Sequence, residues 1–136
     1  MSTLVTGTVQ SNTTAAPLFK NSSGTEKGQL VKAWVNFDGT FGTSPFTISN
    51  GGIRGSYNVS SVTDNGTGNY TINFSITFAN TNYVATVMPR FNSRTFGPGA
   101  ASRLKTTYID VVSYNGDGSV ADRDIFGIVV FGDVNT

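Results

Sequence analysis

The sequence predicts an all-β protein, a single-domain antiparallel sandwich or barrel-like module. Only 12% of the residues are charged, and Ser, Thr, Asn and Gly take the place of strong helix formers. Turn-forming clusters separate short apolar runs at intervals of about ten residues. Within residues 70–78, apolar and polar side chains alternate strictly, which places one set on one face of a strand. The apolar set is Tyr70, Ile72, Phe74, Ile76 and Phe78.

The N-terminal part predicts few regular elements. Residues 3–9 are expected to form a short strand, and the polar stretch 10–28 is expected to be a loop or an extended arm. Strands follow over 31–37 and, briefly, over 45–48. The Asp-Gly turn at 38–42 separates them, because Asp-Gly tolerates the positive φ of tight turns. We therefore divide the chain into an arm, 1–28, that is a candidate attachment segment, and a β-sandwich module, 29–136.

The central part predicts a β-hairpin formed by residues 53–62 and 70–78, joined by the Asn-Gly-rich turn 64–68. A strand over 83–88 follows and is expected to stop near Pro89.

The C-terminal part predicts a long exposed loop over 90–103, since this stretch holds Pro, Gly and three Arg residues. Strands are expected over 106–114 and 125–131, with the hairpin turn 115–119 after the first of them. The triplet 122–124, Asp-Arg-Asp, is interpreted as a solvated turn with a surface ion pair.

The composition argues against catalysis. The chain has no His and no Cys, which excludes Ser-His-Asp and Cys-His catalysis and zinc sites built from these residues. Glu26 is the single Glu, and the Asp residues at 122 and 124 fit a turn better than a glycosidase pair. No catalytic, metal-binding or cofactor-binding residues are expected, so a small polysaccharide-cleaving enzyme is a remote alternative.

Net charge and hydropathy argue against some classes of binding partner. The net charge of +1 gives no general attraction to nucleic acid or anionic lipid. No apolar run approaches the ~20 residues of a membrane-spanning helix. The N-terminus lacks the basic start and apolar run of a secretory signal.

Three segments, residues 31–40, 56–74 and 124–133, together resemble a β-domain of tail-fibre-like virion structural proteins from tailed phages of marine and cyanobacterial hosts. The second segment contains NVSSVTDNGTGNYTINF, which is similar to the recurring central hairpin of that domain. The resemblance covers about residues 29–133 and brings no catalytic residues. It implies a virion protein, usually trimeric, that is made in the host cytoplasm.

Tail fibres are normally long, whereas little of this chain precedes the domain. The expected roles are therefore a tail-fibre-type module that recognises a host-surface glycan or, alternatively, a capsid decoration or cement protein. The expected partners are other virion proteins of the tail or capsid, host-surface polysaccharide, and two further copies of the chain.

The strand 125–131 is the candidate trimer contact, because it is apolar on both faces and a single sandwich covers only one of them. We expect Phe126, Ile128 and Val130 at the interface, together with Trp34. The alternatives for Trp34 are a stacking platform for a sugar or packing under a loop.

The candidate binding site is the loop 90–103. Guanidinium groups bind carboxylates and phosphates bidentately, and aromatic rings beside them add apolar contact. The alternative is that these arginines bind carboxylates of their own chain or lie at the subunit boundary. The predicted binding residues are Arg90, Arg94, Arg103, Phe91 and Phe96.

Overall fold

A computed structural model of the protein describes residues 7–8, 10, 19–28, 30–89, 93–96 and 104–134. For residues 26–28, 89 and 93–96 only the backbone is described.

The chain divides into two compact units, Met1–Leu30 with Thr136 and Val31–Asn135. In the first unit, β1 (Phe19–Lys20) pairs antiparallel with β2 (Glu26–Gly28). The polar stretch expected to be a loop or arm therefore contains a short hairpin. The strand predicted over 3–9 lies outside the described residues, except for Gly7 and Thr8, which are not in a strand.

The second unit is all-β, and its described residues contain no helix. Two four-stranded antiparallel sheets build it. Sheet I has the order β4-β3-β10-β7, and sheet II has the order β5-β6-β9-β8. The predicted all-β, sandwich-like class is confirmed. The strands are β3 (Ala33–Phe37), β4 (Ile53–Tyr57), β5 (Val59–Asp64), β6 (Asn69–Phe74), β7 (Val84–Pro89), β8 (Ser93–Phe96), β9 (Tyr108–Asn115) and β10 (Phe126–Phe131).

The core lies between the facing sides of the two sheets. The alternation in β6 turns Tyr70, Ile72 and Phe74 inward, as predicted. The ring of Tyr70 meets that of Phe37 edge-on, with centroids 5.1 Å apart, and so joins sheet II to sheet I. Burial of each such side chain contributes about 1.5–3 kcal/mol of transfer free energy.

The strand predicted over 53–62 is in fact two strands in different sheets. Asn58 has a φ of 53° and interrupts the strand, so β4 pairs with β3 in sheet I while β5 pairs with β6 in sheet II. Asn tolerates this left-handed conformation better than most residues. Its amide donates to the carbonyl oxygens of Lys32 and Ile76, at 3.0 and 3.1 Å, and these bonds hold the crossover in place.

The alternation predicted through Phe78 ends at Phe74. Ile76 is 52% exposed, so its predicted place in the core is wrong, although Phe78 is buried. The Ile76 amide donates to Asn58 Oδ1 at 2.5 Å, and the chain bends here instead of continuing the strand.

A hydrogen-bonded junction ties the loop before β10 to sheet II. The hydroxyl of buried Tyr70 donates to Asp122 Oδ1 at 2.7 Å, and the Gly68 amide donates to the same oxygen at 2.6 Å. Arg123 donates to the side-chain oxygen of Asn115. Asp122 and Arg123 therefore join separate loops, which corrects the interpretation of a simple solvated turn. Burial, and next the Asp122 carboxylate, raise the pKa of Tyr70.

Candidate interaction surface

On the outer face of sheet II, polar side chains of β5, β6 and β9 form hydrogen bonds with one another. Asn73 Nδ2 donates to the hydroxyl oxygens of Ser61 and Thr63, each at 3.1 Å. Thr71 Oγ1 donates to Asp110 Oδ1 at 2.5 Å on the neighbouring strand. Cross-strand hydrogen bonds of this kind suit a face that stays in water.

The outer face of sheet I is apolar. Strand register places Tyr57, Trp34, Val129 and Thr86 in one row across β4, β3, β10 and β7. Large hydrophobic side chains are exposed along this face and at its ends. They are Trp34 (39%), Tyr57 (54%), Val84 (68%), Met88 (60%), Ile125 (46%) and Phe131 (39%).

Two glycines leave space on this face, because they have no side chain. Gly55 and Gly127 flank Asn36 in the next row, on β4 and β10. The Trp34 indole lies over Gly55, where a Cβ would be only 3.2 Å from its Cη2. On the other side, Gly127 leaves a groove of about 380 Å³ between Trp34 and Met88. Its lining is Trp34, Val35, Asn36, Met88, Ile125, Gly127, Ile128 and Val129.

Asn36 is the polar side chain of the groove. Its Oδ1 is buried and accepts no hydrogen bond within the described part of the chain. An unsatisfied buried acceptor costs free energy, and this oxygen has no surface open to the groove through which a ligand could satisfy it. The groove therefore fits an apolar body.

Charged side chains lie at the margin of sheet I, on Arg54 and on Lys32, which precedes β3. Arg54 on edge strand β4 forms an ion pair with Asp38 at 3.0 Å and also donates to the Phe37 carbonyl oxygen. An exposed pair of this kind adds little stability. Because Arg54 is paired with Asp38, it does not place an uncompensated charge beside the groove.

The structure reverses the two faces of β10 that the sequence analysis assigned. Phe126, Ile128 and Val130 are 0, 1 and 1% exposed and pack in the core of a single chain. They offer no surface to a second chain, so their placement at an interface is wrong. The opposite side of the strand, with Val129 and Phe131, is the outer one. Trp34 does lie on that outer face.

The predicted binding residues fall mainly beyond the described part of the chain. Arg90, Phe91 and Arg103 are outside it. Arg94 and Phe96 belong to β8, which pairs with β9 in sheet II. The stretch expected to be one long loop therefore contains a strand.

The groove residues Asn36, Met88 and Gly127 were not predicted from the sequence, and neither were Tyr57 and Gly55 on the same face. One signal was present, because a glycine inside a strand often marks a place where another group approaches the backbone closely. The two glycines are separated by 71 intervening residues in sequence, so only the pairing of β4, β3 and β10 reveals that they share a row.

The described residues contain no cluster of three or more acidic or other metal-ligating side chains. None of the described residues belongs to a helix long and apolar enough to span a membrane. Comparisons with protein-family models, with curated proteins and with solved structures find no match.

Proposed function

We propose that this chain is a structural protein of a tailed-phage particle, a tail-fibre-type module that assembles as a homotrimer and takes part in attachment to the host surface. The observation that carries the proposal is the contrast between the apolar outer face of sheet I and the polar outer face of sheet II. The homotrimer is what the resemblance to the phage domain implies, over residues 31–40, 56–74 and 124–133.

The physical argument concerns which face requires a partner. A contiguous exposed apolar patch with a polar margin is typical of an interaction site. On sheet II the outer polar side chains of β5 and β6 bond to one another and to Asp110, and no large hydrophobic side chain among those described is exposed there, so this face gains less from being covered. Sheet I gains free energy when its outer face leaves water. Copies of the chain that meet through sheet I therefore keep sheet II outward.

Light scattering tests the assembly. We expect the purified protein to have three times the chain mass of 14.4 kDa at micromolar concentration. Val84→Lys places a charge on the apolar face and is expected to give monomers. Ser60→Lys is the matched control, because Ser60 is exposed on β5 of sheet II; it is expected to remain trimeric. A wild-type protein that is monomeric contradicts the proposal.

Cell binding tests the attachment role. Labelled trimer is expected to bind host cells, and the Val84→Lys monomer is expected to bind far less because avidity is lost. Arg90, Arg94 and Arg103 remain the predicted glycan contacts. Their combined replacement by Ser is expected to reduce binding without dissociating the trimer. Unchanged binding by such intact mutant trimers excludes them as the receptor site.

Antibody labelling of intact particles tests the location. Label at the tail tip agrees with a tail-fibre-type module, whereas label spread over the head identifies a capsid decoration protein. Incubation with host polysaccharide is expected to release no new reducing ends. Release by the pure protein would favour the enzyme alternative.

A further inference from the structure

Asn-Gly dipeptides occur at three turns of the second unit. Glycine has no Cβ to obstruct its own amide nitrogen, so this nitrogen can attack the side-chain carboxamide of the preceding Asn. Asn is accordingly among the thermolabile residues of proteins. Because the three sites share this local chemistry, differences in their reactivity arise from how the fold holds them. The sites are Asn50-Gly51, Asn65-Gly66 and Asn115-Gly116.

The Asn50 carboxamide is held at both of its polar atoms. Its Oδ1 accepts hydrogen bonds from the Thr47 and Gly52 amides, at 2.9 and 3.1 Å. Its Nδ2 donates to the Pro45 carbonyl oxygen at 2.9 Å. These bonds oppose rotation of the carboxamide toward the Gly51 nitrogen.

The Asn115 carboxamide is held by a charged partner. Its Oδ1 accepts a hydrogen bond from the Arg123 guanidinium, and its Nδ2 donates to Ser119 Oγ at 2.9 Å. A hydrogen bond to a charged group is stronger than one between neutral groups. The Gly116 amide has no partner among the described residues, so at this site the nucleophile is free and the carboxamide is not.

The Asn65 carboxamide is held least, and a base lies beside it. Asn65 is exposed, and its only side-chain hydrogen bond within the described residues runs from Nδ2 to Thr71 Oγ1 at 2.8 Å. The Gly66 amide donates to Asp64 Oδ1, also at 2.8 Å. A carboxylate that already accepts the hydrogen of this nitrogen is positioned to take the proton when the nitrogen attacks.

We propose that Asn65 is a self-modification site, at which the folded chain converts this residue to aspartate and isoaspartate without an enzyme. The Gly66 nitrogen attacks Asn65 Cγ and gives its proton to Asp64. The bond from Cγ to Nδ2 then breaks, and Nδ2 takes up that proton and leaves as ammonia. Water opens the resulting cyclic imide at either carbonyl, which gives Asp or isoaspartate at position 65.

The modification changes the surface of sheet II. Asn65 donates to Thr71, which in turn donates to Asp110 on the outer face. The new carboxylate has no hydrogen to donate, so the first of these bonds is lost. The net charge of the chain falls by one unit from +1, to zero. A modified chain therefore carries one more negative charge at the end of sheet II, whose outer face the proposed trimer keeps in water.

Peptide mapping of the folded protein during storage at mildly alkaline pH tests the proposal. Trypsin, which cuts after Lys and Arg, places the three sites in different peptides, 33–54, 55–90 and 106–123. Mass spectrometry follows the replacement of NH2 by OH in each peptide, and fragment spectra assign its position. We expect Asn65 to react at least about tenfold faster than the other two sites, whose additional hydrogen bonds must break first.

The chain unfolded in urea is the matched control, because there each Asn-Gly site is released from the fold. The three sites should then react at similar rates. Equal rates in the folded protein would overturn the proposal. It would also be overturned if Asn115 reacted fastest in the folded protein, since the free Gly116 nitrogen would then matter more than the held carboxamide.

The products test the route. Opening of a cyclic imide gives isoaspartate as well as Asp, whereas direct hydrolysis of the carboxamide gives Asp alone. We expect both products at position 65, separated by chromatography of peptide 55–90. Asp without isoaspartate would refute attack by the Gly66 nitrogen.

Substitution of Asp64 tests its role as the base. Asp64→Asn keeps an oxygen that can accept from the Gly66 amide but removes the base, so we expect modification of Asn65 to slow by about tenfold or more. The matched control is Asp133→Asn, which removes the same charge from an exposed residue outside the turn and should leave the rate unchanged. Circular dichroism verifies that both variants are folded. An unchanged or faster rate in Asp64→Asn would refute the assigned base.

Discussion

The junction between Tyr70 and Asp122 makes a quantitative prediction about stability. Tyr70→Phe keeps the ring among Phe37, Phe46 and Phe126 and removes only the hydroxyl. That hydroxyl donates to the Asp122 carboxylate at 2.7 Å, and the Gly39 carbonyl oxygen, at 3.0 Å, is its second acceptor. A hydrogen bond to a charged group contributes ~1.5–3 kcal/mol.

The lower part of that range applies here. Asp122 is exposed and keeps the bond from the Gly68 amide, so water replaces the lost donor at little cost. We therefore expect Tyr70→Phe to lower the free energy of unfolding by about 1.5–2 kcal/mol. For a chain of this size the melting temperature should fall by roughly 5–10 °C.

Urea unfolding followed by far-UV circular dichroism and by fluorescence of the single Trp, Trp34, measures the change. All variants are compared at one protein concentration, because self-association adds to apparent stability. Tyr108→Phe is the control: this residue is half-buried in β9, and its hydroxyl has no partner in the described part of the chain. It should change stability by less than ~0.5 kcal/mol.

A double-mutant cycle with Asp122→Ala isolates the bond. The Tyr70→Phe and Asp122→Ala losses should be strongly non-additive, since the first substitution already removes what the second would break. The reasoning is refuted if Tyr70→Phe is as stable as wild type, or if the two losses simply add.

Two further predictions concern the core. Phe74→Ala should lower the free energy of unfolding by ~3–5 kcal/mol, because Phe74 is buried against two other rings. Ile76→Ala should be nearly neutral, because Ile76 is exposed. Denaturant unfolding of both variants tests whether the alternation of buried and exposed side chains ends at Phe74. Burial raises the pKa of Tyr83 from 10.0 to about 12, so its contribution to stability is complete below pH 10 and is lost as the pH rises through 12. Unfolding measured against pH should therefore show a shallower alkaline decline for Tyr83→Phe than for wild type, and equal declines would contradict that pKa.

The sequence by itself determined the elements that depend on local periodicity. Alternating side chains in β6 define a buried face over Tyr70, Ile72 and Phe74 without reference to any other strand, because the period of a strand is two residues. The Asn65-Gly66 turn is equally local, since glycine tolerates its positive φ of 110° without help from other strands, whereas Gly39 of the predicted Asp-Gly turn does not have a positive φ. The all-β class follows from these patterns together.

Tertiary structure decided everything that depends on pairing. Asn58 lies inside the stretch 53–62 that the sequence predicts as one strand, and only the partners of β4 and β5 show that the chain changes sheet there. In β10 both faces are apolar, so periodicity separates Phe126, Ile128 and Val130 from the opposite set but cannot say which set meets the other sheet. The groove is still harder to predict from the sequence. It forms because distant strands place Gly55, Asn36 and Gly127 in one row, and a row across a sheet has no period along the chain.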